Sequence, residues 1–589
     1  MVLQCCTRTK RWNGSTTFIR IGITKMLDRI YTAQLQKTID ALYMENYGDF
    51  RDHISYKKPY LAITLNDELE LYFSCLKVDG VNPFYVTQPE VLLHNLLSNT
   101  TSKISISEVF TYLTKASWWP SPHHQKAIDY WLDNLVTAEK IPQILQLALS
   151  FSSPLITSEL LSLVADRPFH PFAHSKGELA PLTTQKEIEV YWRAFKKDDV
   201  INNMDSIPHK ELLLSEAENN HITEKMAELS DDYLALPLLE TQHRYLKFEE
   251  NKYDGIDLNH VTTIGLPTSS LRTLIHNANP NLHLKLSTNA KTLGAIRSMP
   301  GRYLMNGHRA YDFLNKVINE TPLIKNHLFL SNETHWWVLG KQEPIVKNLG
   351  VIGCQVRHLP DFCQDKNVTP ITMSALSCTY IDPWETLGVE GDKWSLLKDL
   401  SVHFIQTFLT LWSKGIMPEC HGQNTMVCYE NNKFKCFILR DHDTLRICTP
   451  AIEESGFTPP IYTIDTSTPN NLIFTKNEDL FNYFITLGIQ INLYPIALAT
   501  LKYTDRTESD FWEMVQDIIH DFVETQPISE QTKSQIQNYL FDNKTWPFKQ
   551  LLTPLLAQES DSTGMPSKIG TTPNPYYSLS ISSYETMDI

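Results

Sequence analysis

The sequence predicts an α+β fold in three packed parts. Three observations carry that expectation: a helical apolar stripe starts at Met26, two hairpin patterns follow around residues 270–290 and 424–439, and 589 residues exceed what one hydrophobic core serves. Leu27, Ile30, Tyr31, Leu35, Ile39 and Leu42 recur every three to four residues and form one sticky helix face. Similar stripes at Ala127 to Val136 and Ile144 to Leu149, and an N-cap with first-turn proline at Ser153-Pro154 for a helix reaching about Val164, make residues 26–165 a mainly helical part. The stretch Asp166-Arg167-Pro168-Phe169-His170-Pro171 ends it, because each proline holds its predecessor extended.

Residues 166–375 read as mixed. The polar, acidic run at 200–232 predicts surface helices, and Ser270 to His276 and Leu282 to Ala290 flank the turn residues Asn277 to Asn281 as a half-buried hairpin. In the last part, 376–589, a helix from about Trp394 to Lys414 stops at Gly415, and a second hairpin runs from Asn424 to Leu439 across Glu430-Asn431-Asn432-Lys433. Residues 1–25 are basic and without clean periodicity, as compatible with a disordered lead or an over-long start as with structure. The tail after Gln558 is rich in Ser, Thr and Pro.

The net charge of -15 argues against a sequence-independent nucleic-acid binder, which needs basic surface to replace counterions, so any anionic ligand requires a local cationic pocket. No apolar run comes near the roughly 20 residues that cross a bilayer. The ten cysteines form no CxxC pair, which argues against zinc and iron–sulfur sites. With no cleavable leader visible, a reducing cytoplasm is the expected home.

Two constellations carry chemistry. Thr268-Ser269-Ser270-Leu271-Arg272-Thr273, Leu284-Lys285-Leu286-Ser287 and the later Arg297 concentrate hydroxyls and three cations. Alternation places Ser270 with Arg272 on one face of the first strand, and Lys285 with Ser287 on the polar face of the second. Such a surface suits phosphates or carboxylates, since a charge pair at about 4 Å is worth on the order of 4 kcal/mol at an effective dielectric near 20; the bland alternative is a solvated sheet face. The second constellation, Glu419-Cys420-His421-Gly422-Gln423-Asn424, precedes the second hairpin, and Arg440-Asp441-His442-Asp443 follows it. An Asn and an Asp bracketing a hairpin are laid out like the magnesium ligands of kinase-like nucleotide sites, and hard oxygens suit Mg²⁺ shared with ATP phosphates. His123-His124 reads as surface loop, Trp118-Trp119 and Trp336-Trp337 as packing, and Cys420 as a bystander.

Taken in order, Ser-Ser-x-Arg-Thr, Lys-Leu-Ser with a downstream Arg, Glu-x-His-x-Gln-Asn and Arg-Asp resemble the NRPS-independent siderophore synthetases, the aerobactin-synthetase-like family. Leu236-Pro237 to Gln242, Lys549-Gln550-Leu551-Leu552 and Asn574-Pro575 fall where that family has further elements, so the resemblance covers most of the chain. It implies a hand-like fold with a helical thumb, mixed fingers and a kinase-like palm, and a cytoplasmic homodimer that uses ATP and Mg²⁺ to activate a citrate-like carboxylate and join it to an amine. It implies that Ser270, Arg272, Thr273, Lys285 and Arg297 face ATP phosphates and substrate carboxylates. His421, Asn424, Asp441 and Asp443 complete the nucleotide and metal side, and Glu419 stands behind them or toward adenosine.

The family's His-Pro-x-His-Pro is Arg167-Pro168-Phe169-His170-Pro171 here, leaving His170 as the surviving substrate-side histidine. Its Pro-x-His-Pro-Trp-Gln is Pro237-Leu238-Leu239-Glu240-Thr241-Gln242, and a frequent Thr past the lysine is Leu293, with Thr292 as stand-in. These departures bear on substrate identity more than on ATP use. A kinase-like phosphotransferase and a non-catalytic citrate or siderophore binder are the alternatives. The family's reductase-like relatives use closely spaced cysteines that are missing here.

Overall fold

The computed structural model describes residues 16–577 apart from 121, 203–206, 213, 249–254, 342, 468–471 and 560–563, with side chains from residue 25 onward. The opening helix spans Thr16–Glu45, so it starts ahead of the apolar stripe at Met26; residues 1–15 of the basic lead lie outside the described residues.

The expectation of a mainly helical part at 26–165 is corrected. The helix Thr16–Glu45 packs on a five-stranded antiparallel meander, Ile54–Lys57, Tyr60–Thr64, Leu69–Lys77, Phe84–Asn95 and Thr100–Ile104. Leu69–Lys77 buries residues on both faces, so Leu71, Tyr72, Phe73 and Cys75 blur the two-residue period that would have exposed it as a strand. The helices His124–Ala138, Ile141–Ala148 and Pro154–Ala165 follow, and Ser153 Oγ accepts the Ile156 N–H as the N-cap pattern predicts. His123 and His124 begin the first of these helices instead of lying in a loop.

Among the described residues, the middle of the chain builds an eight-stranded sheet in the order Val200–Asn202, Asn332–Leu339, Gly353–His358, Leu282–Leu286, Thr273–His276, Gly255–Pro267, Ile188–Lys196, Tyr233–Leu239. The predicted hairpin is at its centre, with Leu274 opposite Leu284 and Thr273 opposite Lys285. It is not half-buried: every residue of both strands is buried, because their polar face looks into the protein. The acidic run carries the short helix Pro208–Glu211 and the capped surface helix Glu216–Ala227.

A four-stranded sheet, Leu328–Leu330, Lys433–Leu439, Thr425–Glu430 and Val368–Thr372, backs the last part. Its hairpin turns on Asn431 and Asn432, both left-handed at φ 52 and 64, as a two-residue loop between twisted strands requires. Two of these strands precede residue 375, so the sheet crosses the predicted boundary there. The helix Pro154–Ala165 packs on Val368–Thr372, with Thr372 Oγ1 donating to Glu159 at 2.6 Å, and Glu45 accepts the backbone N–H groups of Leu551, Leu552 and Thr553. One large core draws residues from all three parts, while the N-terminal meander and the eight-stranded sheet each have a core of their own.

The absence of a membrane-length apolar run is also corrected. The 25-residue helix Asn477–Leu501 is long and apolar enough to cross a bilayer, but 83% of its most apolar window is buried, as in a core helix of a globular protein. Asn482, Gln490 and Asn492 interrupt its sequence and conceal the length of the run.

Candidate active site

Leucines at 282, 284 and 286 point into the sheet's hydrophobic side, which drives His283 and Lys285 to the opposite, inward face. Lys285 Nζ reaches Asp441 Oδ1 at 2.7 Å and Asp443 Oδ2 at 3.9 Å, although the two segments are remote in sequence. Asp441 follows the second hairpin in a left-handed conformation, φ 61, which a non-glycine residue adopts at some cost. Its N–H donates to Glu333 Oε1 at 2.9 Å, Arg357 Nε donates to the same oxygen at 2.6 Å, and Arg357 Nη2 donates to the Asp441 carboxylate. Two carboxylates and two cations are thereby paired, with Lys285, Arg357 and Glu333 buried and Asp441 26% exposed toward the cavity. Burial opposes the Asp441 charge, but Lys285 and Arg357 outweigh it and hold the carboxyl well below its usual value. Burial pushes Asp443 up to about 6; Lys285 pulls against this, while Asp441 and Glu419 reinforce it.

The segment before the hairpin is fixed by its backbone. A Cβ on Gly422 would lie 2.7 Å from the Ser374 nitrogen, so only glycine lets the Ser374 N–H donate to Gly422 O at 3.0 Å. Asn492 Nδ2 donates to Cys420 O, and Arg440 Nε to Gln423 O. Gln423 Nε2 donates to Ser269 Oγ at 3.1 Å, tying this segment to the eight-stranded sheet. Glu419 accepts from Arg446 at 3.0 Å and from Asn424 at 3.5 Å, with His421 Nε2 at 3.6 Å. Burial disfavours its charge, yet His421 and Arg446 keep it well below the usual carboxylate range. Cys420 is fully buried, and burial pushes its thiol upward, which fits no nucleophile.

Ser270 and Arg272 do not lie on a strand, since the strand begins at Thr273 and the preceding residues form a turn with Leu271 at φ 63. Ser270 Oγ donates to Thr273 Oγ1 at 2.8 Å, so these two hydroxyls close the turn, and Ser269 takes the place at the cavity. Arg272 Nη1 donates to the carbonyls of Arg297 and Ser298, both at 2.7 Å, while its Nε is buried without a partner. Among the described residues, neither the Arg297 guanidinium nor the Lys549 ammonium has a hydrogen bond or ion pair. Burial, then Arg272 and Arg167, lower Arg297 to about 9, and burial lowers Lys549.

A cavity of about 470 Å³ gathers Arg272, Lys285, Arg297, Glu419, His421, Asn424, Asp441 and Asp443. Ser270, Thr273 and His170 are not among its lining residues. His170 is buried, accepts the Phe172 N–H on Nδ1 at 3.1 Å, and is held neutral, near 3, chiefly by burial. Arg167, in place of the family's first histidine, lines the cavity instead.

Sequence reasoning missed Glu333 and Arg357, which brace Asp441, and Arg302, Asn306, Arg446 and Asp465 on the cavity wall. Arg302 and Asn306 are one turn apart on the helix Gly301–Glu320, a spacing that could have flagged them; Arg302 pairs with Asp465 at 3.1 Å.

The family profile described as "IucA / IucC family" matches residues 154–377, and one described as "Ferric iron reductase FhuF-like transporter" matches residues 401–563. In that second span Cys420, Cys428, Cys436 and Cys448 are buried free thiols. The chain is 30% identical over 452 residues to staphyloferrin B synthase of Staphylococcus aureus (strain NCTC 8325 / PS 47), covering 72% of this chain and 77% of that protein. Its fold is similar to that of the petrobactin biosynthesis protein AsbB from Bacillus anthracis str. Sterne (TM-score 0.74, 15% identity, 95% and 97% of the two chains). The aerobactin synthetase IucC from a hypervirulent pathotype of Klebsiella pneumoniae is similar at TM-score 0.69, with 15% identity and 95% and 100% coverage.

These likenesses define the class, an ATP-dependent carboxylate–amine ligase of siderophore biosynthesis. The chain belongs to the IucA/IucC family of NRPS-independent siderophore synthetases.

Proposed function

We propose that the cavity binds ATP beside a citrate-like carboxylate, converts the acid to its acyl-adenylate, and passes the acyl group to an amine. The observation that carries this reading is the pair of unpartnered cations, Arg297 and Lys549, in the same cavity as the Lys285–Asp441–Asp443 group. Half-buried cations without a protein partner favour an anionic ligand, and a triphosphate next to a carboxylate supplies several negative charges.

In the first step a carboxylate oxygen of the acid bonds to the α-phosphorus of ATP, the bond to the β-phosphate bridging oxygen breaks, and pyrophosphate leaves. Arg272, Lys285 and Arg297 stabilise the charge that spreads over the phosphoryl oxygens. In the second step the amine nitrogen bonds to the acyl carbon, the carbon–oxygen bond to AMP breaks, and the amine loses a proton, for which His421 beside Glu419 is the nearby imidazole. Asn424, Asp441 and Asp443 fit Mg²⁺: all three present oxygens, and burial with a like charge has raised Asp443, a strain that a divalent cation relieves. Mg²⁺ there would screen the triphosphate.

The same reading keeps a thumb, fingers and palm, with the thumb ending near residue 165 and the palm taking in the strands Leu328–Leu330 and Val368–Thr372 from before residue 375, and it expects a homodimer in the cytoplasm, in keeping with the described free cysteines. The direct test is the leaving group. Carboxylate-dependent release of pyrophosphate and AMP, with hydroxylamine trapping the activated acid as a hydroxamate, is expected; stoichiometric ADP across a panel of acids and amines overturns the reading.

A further inference from the structure

The eight-stranded sheet has a second polar cluster, on the face turned away from the cavity. Along the strand Gly353–His358, Gln355 and Arg357 point to the Glu333–Asp441 network, so Cys354, Val356 and His358 point the other way, the first two into the hydrophobic layer behind the sheet. His335 pairs with Val356 on the neighbouring strand, after a register shift between Asn332 and His335. Glu211 ends the short helix Pro208–Glu211 above them.

His335 Nδ1 lies 2.9 Å and His358 Nε2 3.9 Å from one oxygen, Glu211 Oε2. Both ring nitrogens are buried and neither has a partner in hydrogen-bond geometry, so the short contact to Glu211 is not a made hydrogen bond. Two unsatisfied imidazole nitrogens and a carboxylate oxygen thus converge within 4.8 Å of one another, and among the described residues this is the one such grouping of potential metal ligands. Ligands about 2 Å from a common ion stand little more than 3 Å apart, so small rotations complete the arrangement. The His358 side chain is 36% exposed, so the cluster lies near the surface although the nitrogens that face Glu211 are buried.

We propose that Glu211, His335 and His358 form a binding site for one zinc-class divalent cation, separate from the nucleotide cavity. Two imidazoles and one carboxylate favour Zn²⁺, Co²⁺ or Ni²⁺ over Mg²⁺ or Ca²⁺, which take oxygen ligands. The ion would pin the helix Pro208–Glu211 to the two strands whose other faces carry Glu333 and Arg357.

The test uses the full chain, stripped with chelator and titrated with Zn²⁺ against a chromophoric indicator in excess Mg²⁺. One Zn²⁺ per chain is expected, with binding retained in Asp443→Asn and weakened in His335→Gln and His358→Gln by at least the ~100-fold that loss of a mere supporting partner can cost. No stoichiometric binding, binding that survives both histidine substitutions, or binding lost in Asp443→Asn alone overturns the proposal. Should a histidine variant fail to fold, X-ray absorption of the zinc-loaded wild type decides: scattering from two imidazoles is expected, and its absence refutes the site.

Discussion

Lys285 Nζ is shared between Asp441 Oδ1 at 2.7 Å and Asp443 Oδ2 at 3.9 Å, so a single ammonium at the centre of the eight-stranded sheet meets both carboxylates at the end of the second hairpin. It neutralises Asp441 together with Arg357, but stands too far from Asp443 to offset burial there. The site therefore holds one carboxylate firmly ionised and a neighbour that gives up its proton reluctantly.

Lys285→Met removes a phosphate-facing charge and one partner of a buried pair. Turnover is expected to fall by ~100-fold or more, about 3 kcal/mol of transition-state stabilisation, and Tm to fall as well because breaking a buried pair destabilises. Steady-state pyrophosphate release and thermal unfolding measure the two effects. A normal rate in a folded variant removes Lys285 from the chemistry.

Arg297→Met behaves differently, because Arg297 has no described protein partner to lose. The same ~100-fold fall in turnover is expected with Tm unchanged or slightly higher, since a half-buried charge beside the like charges of Arg272 and Arg167 is removed. The contrast separates the two roles: a marked drop in Tm for Arg297→Met makes Arg297 structural.

How far this was legible in the sequence depends on which residues carried local signals. The Asn431-Asn432 turn and the Ser153-Pro154 cap follow from side-chain chemistry at single positions, and the structure has both where the residues demand them. Arg272, Lys285, His421, Asn424 and Asp441 stood in recognisable runs, and they meet at one cavity. Arg357 and Glu333 lay in strands that look like ordinary sheet, and only cross-strand pairing brings them to Asp441. Ser270 shows the opposite error: a hydroxyl inside a strong motif proved to be closing a turn. The N-terminal meander was hidden because Leu69–Lys77 buries parts of both faces and an irregularity in its pairing with Phe84–Asn95 interrupts the alternation by which strands are read.

Deleting residues 1–25 is expected to leave turnover and solubility unchanged. Met26 and Leu27 are the first described side chains packed on the core, and Arg29 and Lys37 anchor the rest of the helix through the carbonyls of Tyr380 and Ala165, both at 3.1 Å. Aggregation or loss of activity in the truncated protein assigns the basic lead a structural part.

The last prediction follows from Asp443, whose carboxyl stands near 6 in the folded chain against the ordinary 3.8. A raised carboxyl means that the folded state binds the proton more tightly than the unfolded state. Its contribution to stability is fully present below about pH 4 and is lost as pH rises through about 6. Two units correspond to at most about 3 kcal/mol, and with the side chain 26% exposed the effect should be nearer ~1–2 kcal/mol. Asp443→Asn cannot ionise, so it should exceed the wild type in Tm at about pH 7–8, with the two converging near pH 4. Mg²⁺ acts in the opposite sense, because it requires the carboxylate: its stabilisation of the wild type should grow as pH passes 6 and be much reduced in Asp443→Asn. Thermal unfolding across this range, with and without Mg²⁺, tests both halves. Parallel wild-type and variant curves would show that Asp443 ionises in the folded chain as it does in water.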